Sequence, residues 1–293
     1  MIKKAIPHIF TLSNLVCGVL GIIMAFQTNL IWSSYLIGIA AIFDFFDGFA
    51  ARMLNVPSKL GAQLDSLADA VTFGVLPGII LFQLISISFG EYYIPLTDRP
   101  LDHALWASTA FLIPVFSILR LAIFNLDTQQ EDTFLGVPTP ANAILIGSFP
   151  VILELQYFLN LYFPLTENTV RGMVQVYFWR PFDYYTVLWL QQTEVLVSLG
   201  IIMALLLVIR IPMLSFKFKS FGWKANQARY IFLILVLAGI LLVFLPYWVR
   251  LRFLPYLDYV IIPIILILYI IYSVIIAVLK RLSVGTQSDS RAH

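Results

Sequence analysis

Asp44, Asp47, Asp65 and Asp69 fall together in one stretch, DFFDGFAARMLNVPSKLGAQLDSLADA, of an otherwise apolar chain. On a helix, Asp44 and Asp47 stand at i and i+3 and share a face, which Gly48 and Ala51 continue. Gly61, Asp65 and Asp69 then repeat every four residues on the helix that follows. Two antiparallel helices joined by a short connection at 55–59 therefore bring four carboxylates to one point. Carboxylates gathered this way repel one another unless cations stand between them. Ligation by carboxylate oxygen alone suits Mg²⁺, Mn²⁺ or Ca²⁺, and paired ions at such a site serve to clamp a phosphate or diphosphate. Arg52 adds a permanently charged planar fork suited to a phosphate oxygen. The small residues Gly48, Ala51 and Gly61 leave space beside the carboxylates for a second helix or for a ligand laid against the backbone.

An ionised side chain at the centre of a membrane span costs about 2.5–3.5 kcal/mol, and less near the interface, so the cluster needs compensation that its apolar surroundings do not supply. Three uses remain open on these grounds. The aspartates could serve metal-assisted phosphoryl transfer, act as interfacial caps and helix-pairing groups, or line an ion or proton pathway of a transporter. Regular helical spacing with interleaved small residues favours the first.

The elements that must position these residues are membrane helices. Of 293 residues, 60% are hydrophobic and only 12% are charged, where a soluble domain carries roughly 25% charged residues. Apolar runs separated by polar or Pro/Gly-rich interruptions predict an all-α polytopic membrane protein with about eight transmembrane helices, at 9–27, 31–53, 61–88, 104–125, 138–160, 194–213, 229–247 and 258–280. Residues 1–284 then form a single transmembrane catalytic domain, and 285–293 a disordered cytoplasmic tail. The segment 161–193, rich in Tyr, Phe and Trp, is expected to rest at headgroup level. Lys3 and Lys4 ahead of the first apolar run imitate a secretory signal, but the run is long enough to remain as a first span.

The net charge of +2 gives no support for nucleic-acid binding. The single cysteine, Cys17, excludes a disulfide framework, and His8, His103 and His293 are too scattered for a metal cluster. With the N-terminus inside, the inner side collects Lys3, Lys4, Arg52, Lys59, Arg120, Arg210, Lys217, Lys219, Lys224, Arg229, Lys280, Arg281 and Arg291, while the outer side keeps Arg99, Arg171, Arg180, Arg250 and Arg252. The positive-inside rule places both termini and the aspartates in the cytoplasm.

The pattern Asp44-x2-Asp47-Gly48-x2-Ala51-Arg52-x8-Gly61-x3-Asp65-x3-Asp69 resembles the signature of the CDP-alcohol phosphotransferase family. The pieces IPHIFTLSNLVCGVLGI, GAQLDSLADAVTFGVLPG, LRLAIFN, GVPTPANA and RIPMLSFKFK resemble its bacterial, membrane-embedded, serine-accepting branch. His8 departs from the pattern, since an asparagine commonly follows the proline there. The resemblance implies a six-helix family core with two C-terminal helices added. It further implies an inner-membrane enzyme of a bacterium that moves a phosphatidyl group from CDP-diacylglycerol to the hydroxyl of L-serine and releases CMP. Two divalent ions, Mg²⁺ or Mn²⁺, are implied at Asp44, Asp47 and Asp65, with Asp69 as general base also touching the second ion. Pro7, Thr11, Gly48, Ala51, Arg52, Ser58 and Gly61 are implied to surround the CDP-lipid. A homodimer amid membrane lipids is the usual assembly of such proteins.

A serine acceptor carries an ammonium and a carboxylate, so a selective site should offer complementary charge. Arg120 is the candidate for the carboxylate, with Asn125 on the neighbouring turn and Asn142 one turn inside the fifth span. Arg120 fits a snorkelling interface residue equally well, and Arg210 and Lys217 fit positive-inside anchors better than catalytic groups. A sister enzyme with glycerol phosphate, inositol phosphate or an amino alcohol as acceptor, and an ion-coupled secondary transporter, are the competing readings.

Overall fold

The computed structural model describes residues 2–27, 29–56, 58–126, 134–156, 181–214, 222–244 and 259–289. These form an all-α membrane protein. Its helices are α1 (Ile2–Phe26), α2 (Leu30–Met53), α3 (Lys59–Asp69), α4 (Leu76–Ser88), α5 (Leu101–Ser108), α6 (Leu112–Leu126), α7 (Thr139–Val151), α8 (Pro181–Leu190), α9 (Thr193–Val208), α10 (Trp223–Phe244) and α11 (Ile261–Asp289). Five stretches, Ala5–Phe26, Leu30–Met53, Lys59–Ser88, Leu101–Leu126 and Ile261–Leu279, are long and apolar enough to cross a bilayer. The shorter apolar helices Thr139–Glu154, Thr193–Val208 and Asn226–Gly239 occupy the three other places where the sequence predicts spans.

The longest of the early spans is two helices joined by a π-helical turn, Ala70–Val75, that starts immediately after Asp69. Its cause is local. Pro77 has no N–H to give, so the regular ladder cannot continue, and Leu76 instead donates to the carbonyl of Val71, five residues back. Another proline, Pro114, comes just after the 3₁₀ turn Thr109–Phe111 that joins α5 to α6. Pro150 stands just before a second π-helical turn, Ile152–Gln156.

The span Lys59–Ser88 is the centre of the bundle, with 72% of its most apolar window buried against 33% for each of its neighbours at 5–26, 30–53 and 101–126. α1 and α2 form an antiparallel hairpin against it, and α6, α7 and α9 complete the surround. Close approach depends on glycine at two crossings. A Cβ on Gly18 would collide with Thr72, and one on Gly78 would lie 2.6 Å from the Pro114 ring. At the end remote from the aspartates, Tyr92 donates to the carbonyl of Ala25 (2.7 Å), Arg99 donates to Ser86 (2.6 Å), and His103 stands 2.6 Å from Glu91.

Two features depart from the sequence reading. An antiparallel pair of two-residue strands, β1 (Phe134–Leu135) and β2 (Pro212–Met213), sits in the otherwise helical fold. Gly136, at φ +74°, turns the chain out of β1 and donates to Ile211, a conformation that a residue with a Cβ rarely adopts. The second departure is at the C-terminus. α11 continues to Asp289, so residues 285–289 are helical rather than part of a disordered tail, because extending a formed helix fixes only one residue per added hydrogen bond. Within the expected headgroup segment, α8 is described; Tyr177, Phe178, Trp179, Arg171 and Arg180 lie outside the described residues, as do Lys217, Lys219, Arg250 and Arg252.

Candidate functional site

The connection between α2 and α3 is built by two residues suited to it. Asn55 takes the left-handed conformation (φ 53°) just past the end of α2, and Ser58 caps α3 by accepting from the Gly61 N–H at 2.9 Å. The turn reverses the chain so that the facing stripes of α2 and α3 oppose each other. Asp44, Asp47 and Asp65 then each offer a carboxylate oxygen within 4.8 Å of the others. Asp69, one turn beyond Asp65, lies within hydrogen-bonding reach of Asp44. All four predicted carboxylates are thus brought together.

α1 supplies the third wall. Thr11 donates to Asp47 at 2.7 Å, and its hydroxyl also lies 3.1 Å from the Pro7 carbonyl. Asn14 donates its amide N–H to Asp69 at 3.0 Å. Thr72, in the π-helical turn, donates to the backbone carbonyl of Asn14 at 3.1 Å, which ties the turn after Asp69 to the residue that orients Asp69. Asn14 was not anticipated from sequence, although Pro7, Thr11 and Asn14 fall on one helical stripe that Gly18 extends toward Thr72.

His8 was set aside as an isolated histidine. It stands beside Gly61, where a Cβ would lie 3.2 Å from its ring, and its Nδ1 is buried without a hydrogen-bond partner among the described residues. Arg52 folds back over Gly48, with Nη1 3.4 Å from where a Cβ would stand, and its charge is felt at Asp47.

Asp47 and Asp69 are buried, and Asp65 keeps a buried carboxylate oxygen with no partner among the described residues. None of the four makes a salt bridge to Lys or Arg among those residues. A buried carboxylate left in this state is costly, whereas a hard cation held by Asp44, Asp47 and Asp65 would satisfy it with the oxygen ligands such ions prefer. The residues present fit a divalent metal.

The predicted acceptor residues divide. Arg120, on α6, is buried, with Asp69 and Tyr269 of α11 within electrostatic reach of its charge. With Arg210, Phe124, Leu135 and Leu207 it lines a cavity of about 170 Å³. Asn125 is exposed and paired with Ser66 of α3, donating at 2.9 Å, so its amide links two helices beside the cluster. Asn142 is fully buried on α7 with both amide atoms unpartnered among the described residues, and the structure gives it no contact with the aspartates.

A family model described as CDP-alcohol phosphatidyltransferase matches residues 4–168. The chain is 33% identical over 142 residues to the CDP-diacylglycerol–serine O-phosphatidyltransferase of Helicobacter pylori strain J99, covering 48% of this chain and 54% of that protein. It is 36% identical over 152 residues to the protein of the same name from Bacillus subtilis strain 168, covering 52% of this chain and 76% of that one. With the archaetidylserine synthase of Methanothermobacter thermautotrophicus it shares 31% identity over 147 residues, covering 50% of this chain and 57% of that protein. The chain spans about half the length of the Helicobacter relative that it matches. α8 to α11 lie beyond the residues that the family model covers.

Proposed function

This chain belongs to the CDP-alcohol phosphatidyltransferase family, and from that premise we propose that it transfers the phosphatidyl group of CDP-diacylglycerol to the hydroxyl of L-serine, with release of CMP. The observation that carries the proposal is the meeting of Asp44, Asp47 and Asp65 within 4.8 Å, with Asp69 held beside them by Asn14. The names of the similar proteins from Helicobacter and Bacillus support serine as acceptor.

Asp44, Asp47 and Asp65 would hold divalent ions, two in number and Mg²⁺ or Mn²⁺, that supply positive charge to a bound diphosphate. The small surfaces of Gly48, Ala51 and Gly61 let the CDP group lie against α2 and α3, with Arg52 available to a phosphate oxygen. Pro7, Thr11 and Ser58 border the same space; Thr11 holds Asp47, and Ser58 holds the start of α3. The serine oxygen attacks the phosphorus that bears the lipid, the bond from that phosphorus to the CMP oxygen breaks, and the hydroxyl proton passes to Asp69. A serine hydroxyl needs such a base because its own pKa is far above neutrality. The N–H from Asn14 leaves the second Asp69 oxygen as the acceptor. Arg120, which lines the neighbouring cavity, takes the serine carboxylate.

A second reading has one observation in its favour. Arg120 and Arg210 share one cavity, and two guanidinium groups suit a phosphorylated acceptor as well as a carboxylate. CMP release by the purified protein from CDP-diacylglycerol, across a panel of acceptors and with metal present or chelated, separates the two. Metal-dependent release that requires serine is the expected result. Release that requires glycerol phosphate or inositol phosphate overturns the choice of serine, and transport in sealed vesicles without CMP release overturns the enzyme. We further propose that the protein works in the inner membrane of a bacterium, as a homodimer, with the aspartates toward the cytoplasm, an orientation that the excess of Lys and Arg on that side supports.

A further inference from the structure

The cavity proposed for the acceptor is built from two parts of the chain. α6 contributes Arg120 and Phe124, while the end of α9 and the strand pair beside it contribute Leu207, Arg210 and Leu135. Leu135 belongs to β1, and Arg210 lies two residues before β2. The position of the strand pair therefore sets the position of that wall. The pair has little with which to hold itself. Two residues on each side make a very short ladder, and even longer isolated two-stranded pairs are marginal in stability. Beyond the ladder, the Gly136 N–H donates to the carbonyl of Ile211 at 2.9 Å, and the Val137 N–H to that of Leu206 on α9 at 2.9 Å.

Further support comes from α11. Leu214 directly follows β2, and α11 side chains take both polar groups of its backbone. The Leu214 N–H donates to the Ser273 hydroxyl at 3.1 Å, and the Leu214 carbonyl accepts from the Tyr269 hydroxyl at 3.0 Å. Tyr269 and Ser273 stand at i and i+4, so a single helical face makes both bonds. Both residues are buried, where a polar group that loses its partner costs about 1–3 kcal/mol, and the clasp resists opening for that reason. Tyr269 also lines one crevice with Val137 and Ala141, at the start of α7, and Met203 of α9, so its ring packs against the junction that its hydroxyl grips. α10 steadies α11 in turn. The Phe232 ring meets that of Tyr269 edge-on with centroids 5.8 Å apart, and Tyr272 donates to the carbonyl of Ala228 at 3.0 Å.

We infer that Tyr269 and Ser273 are positioning residues for the acceptor: by clasping the backbone of Leu214 they hold the β1–β2 pair, and with it Leu135 and Arg210, in place in the cavity wall. The inference rests on the proposed use of that cavity for the acceptor. It gives α11, which lies beyond the residues matched by the family model, a part in acceptor recognition although none of its described residues lines the cavity.

Tyr269→Phe and Ser273→Ala each remove one bond of the clasp and leave the apolar packing of α11 in place. With the full-length protein, CMP release titrated with serine and with CDP-diacylglycerol should show the KM for serine raised about three- to tenfold in each variant, the loss of roughly one hydrogen bond. The KM for CDP-diacylglycerol and the kcat should each stay within about twofold of the parent. Tyr272→Phe is the control, because it removes a bond of the same kind between α10 and α11 that does not reach β2. It should lower thermal stability in detergent about as much as Tyr269→Phe does and leave the KM for serine within about twofold of the parent. An unchanged KM for serine in either clasp variant, an equal rise in both KM values, an equal effect of Tyr272→Phe, or loss of the folded state in both clasp variants would each overturn the inference. The parent protein keeps the two ideas apart: if it releases no CMP in response to serine, the proposed function fails, whereas a serine-responsive parent with unaffected clasp variants sinks the positioning role alone.

Discussion

At the residue scale, the carboxylates are alike in type and divided by their neighbours. Asp47 is bound by a threonine hydroxyl, Asp69 by an asparagine amide, and Asp65 retains a buried oxygen that no group among the described residues satisfies. That division predicts different losses. Asp69→Asn keeps the shape of the site and removes the proposed base, so turnover should be abolished while binding of the CDP-lipid, followed by equilibrium binding of a labelled analogue, stays measurable. Normal turnover by that variant would show that Asp69 is not the base. Asn14→Ala removes the N–H that orients Asp69 and should lower kcat about tenfold, the equivalent of one hydrogen bond of roughly 1.4 kcal/mol, with CDP-lipid affinity retained. Asp65→Asn weakens the cation site, so its residual CMP release should need a higher concentration of Mg²⁺ or Mn²⁺ than the parent in a metal titration. The aspartate face was legible because helical spacing alone aligns it. Asn14 was not: an asparagine within an apolar run carries no mark of the partner that folding brings to it.

At the scale of elements, the site depends on how closely α1 approaches the π-helical turn that follows Asp69. Gly18 is the contact point, since a Cβ there would collide with Thr72 and the Thr72 backbone lies 3.0 Å away. Gly38 on α2 offers the contrast, with nothing within 4 Å of an added Cβ. Gly18→Ala should therefore destabilise the protein by about 1–3 kcal/mol through overpacking. Gly38→Ala should be neutral or stabilising by up to about 1 kcal/mol, the helix-propensity difference between the two residues. Thermal unfolding in detergent compares them, and equal effects would mean that the α1 crossing tolerates a side chain. The helices themselves were readable from apolar length. Their interruptions were not read, although Pro77 and Pro114 were in view, because a proline in an apolar run is compatible with a kink, a π turn or a helix end until the packing decides. The β1 and β2 pairing has only two residues on each side and so no alternating pattern to detect.

At the scale of the molecule, the distribution of charge along the chain sets its direction in the membrane. The facing ends of α2 and α3 carry Arg52 and Lys59, while the connection between α4 and α5 at the other end of the central span carries only Arg99, which packs over the Phe82 ring and donates to Ser86. An excess of Lys and Arg on short loops resists translocation, so the aspartate end should face the cytoplasm, where the proposed acceptor serine and the proposed product CMP would enter and leave. The chain's own composition makes this testable. Its single cysteine, Cys17, is buried, so a Cys17→Ala background can carry one reporter cysteine at a time. Lys59→Cys and Asp98→Cys both replace exposed side chains at opposite ends of the span Lys59–Ser88. A membrane-impermeant maleimide should label Asp98→Cys in intact spheroplasts and Lys59→Cys only in inverted vesicles. The reverse pattern would place the aspartates on the outer side, and a serine phosphatidyltransferase drawing on cytoplasmic serine could not work from there.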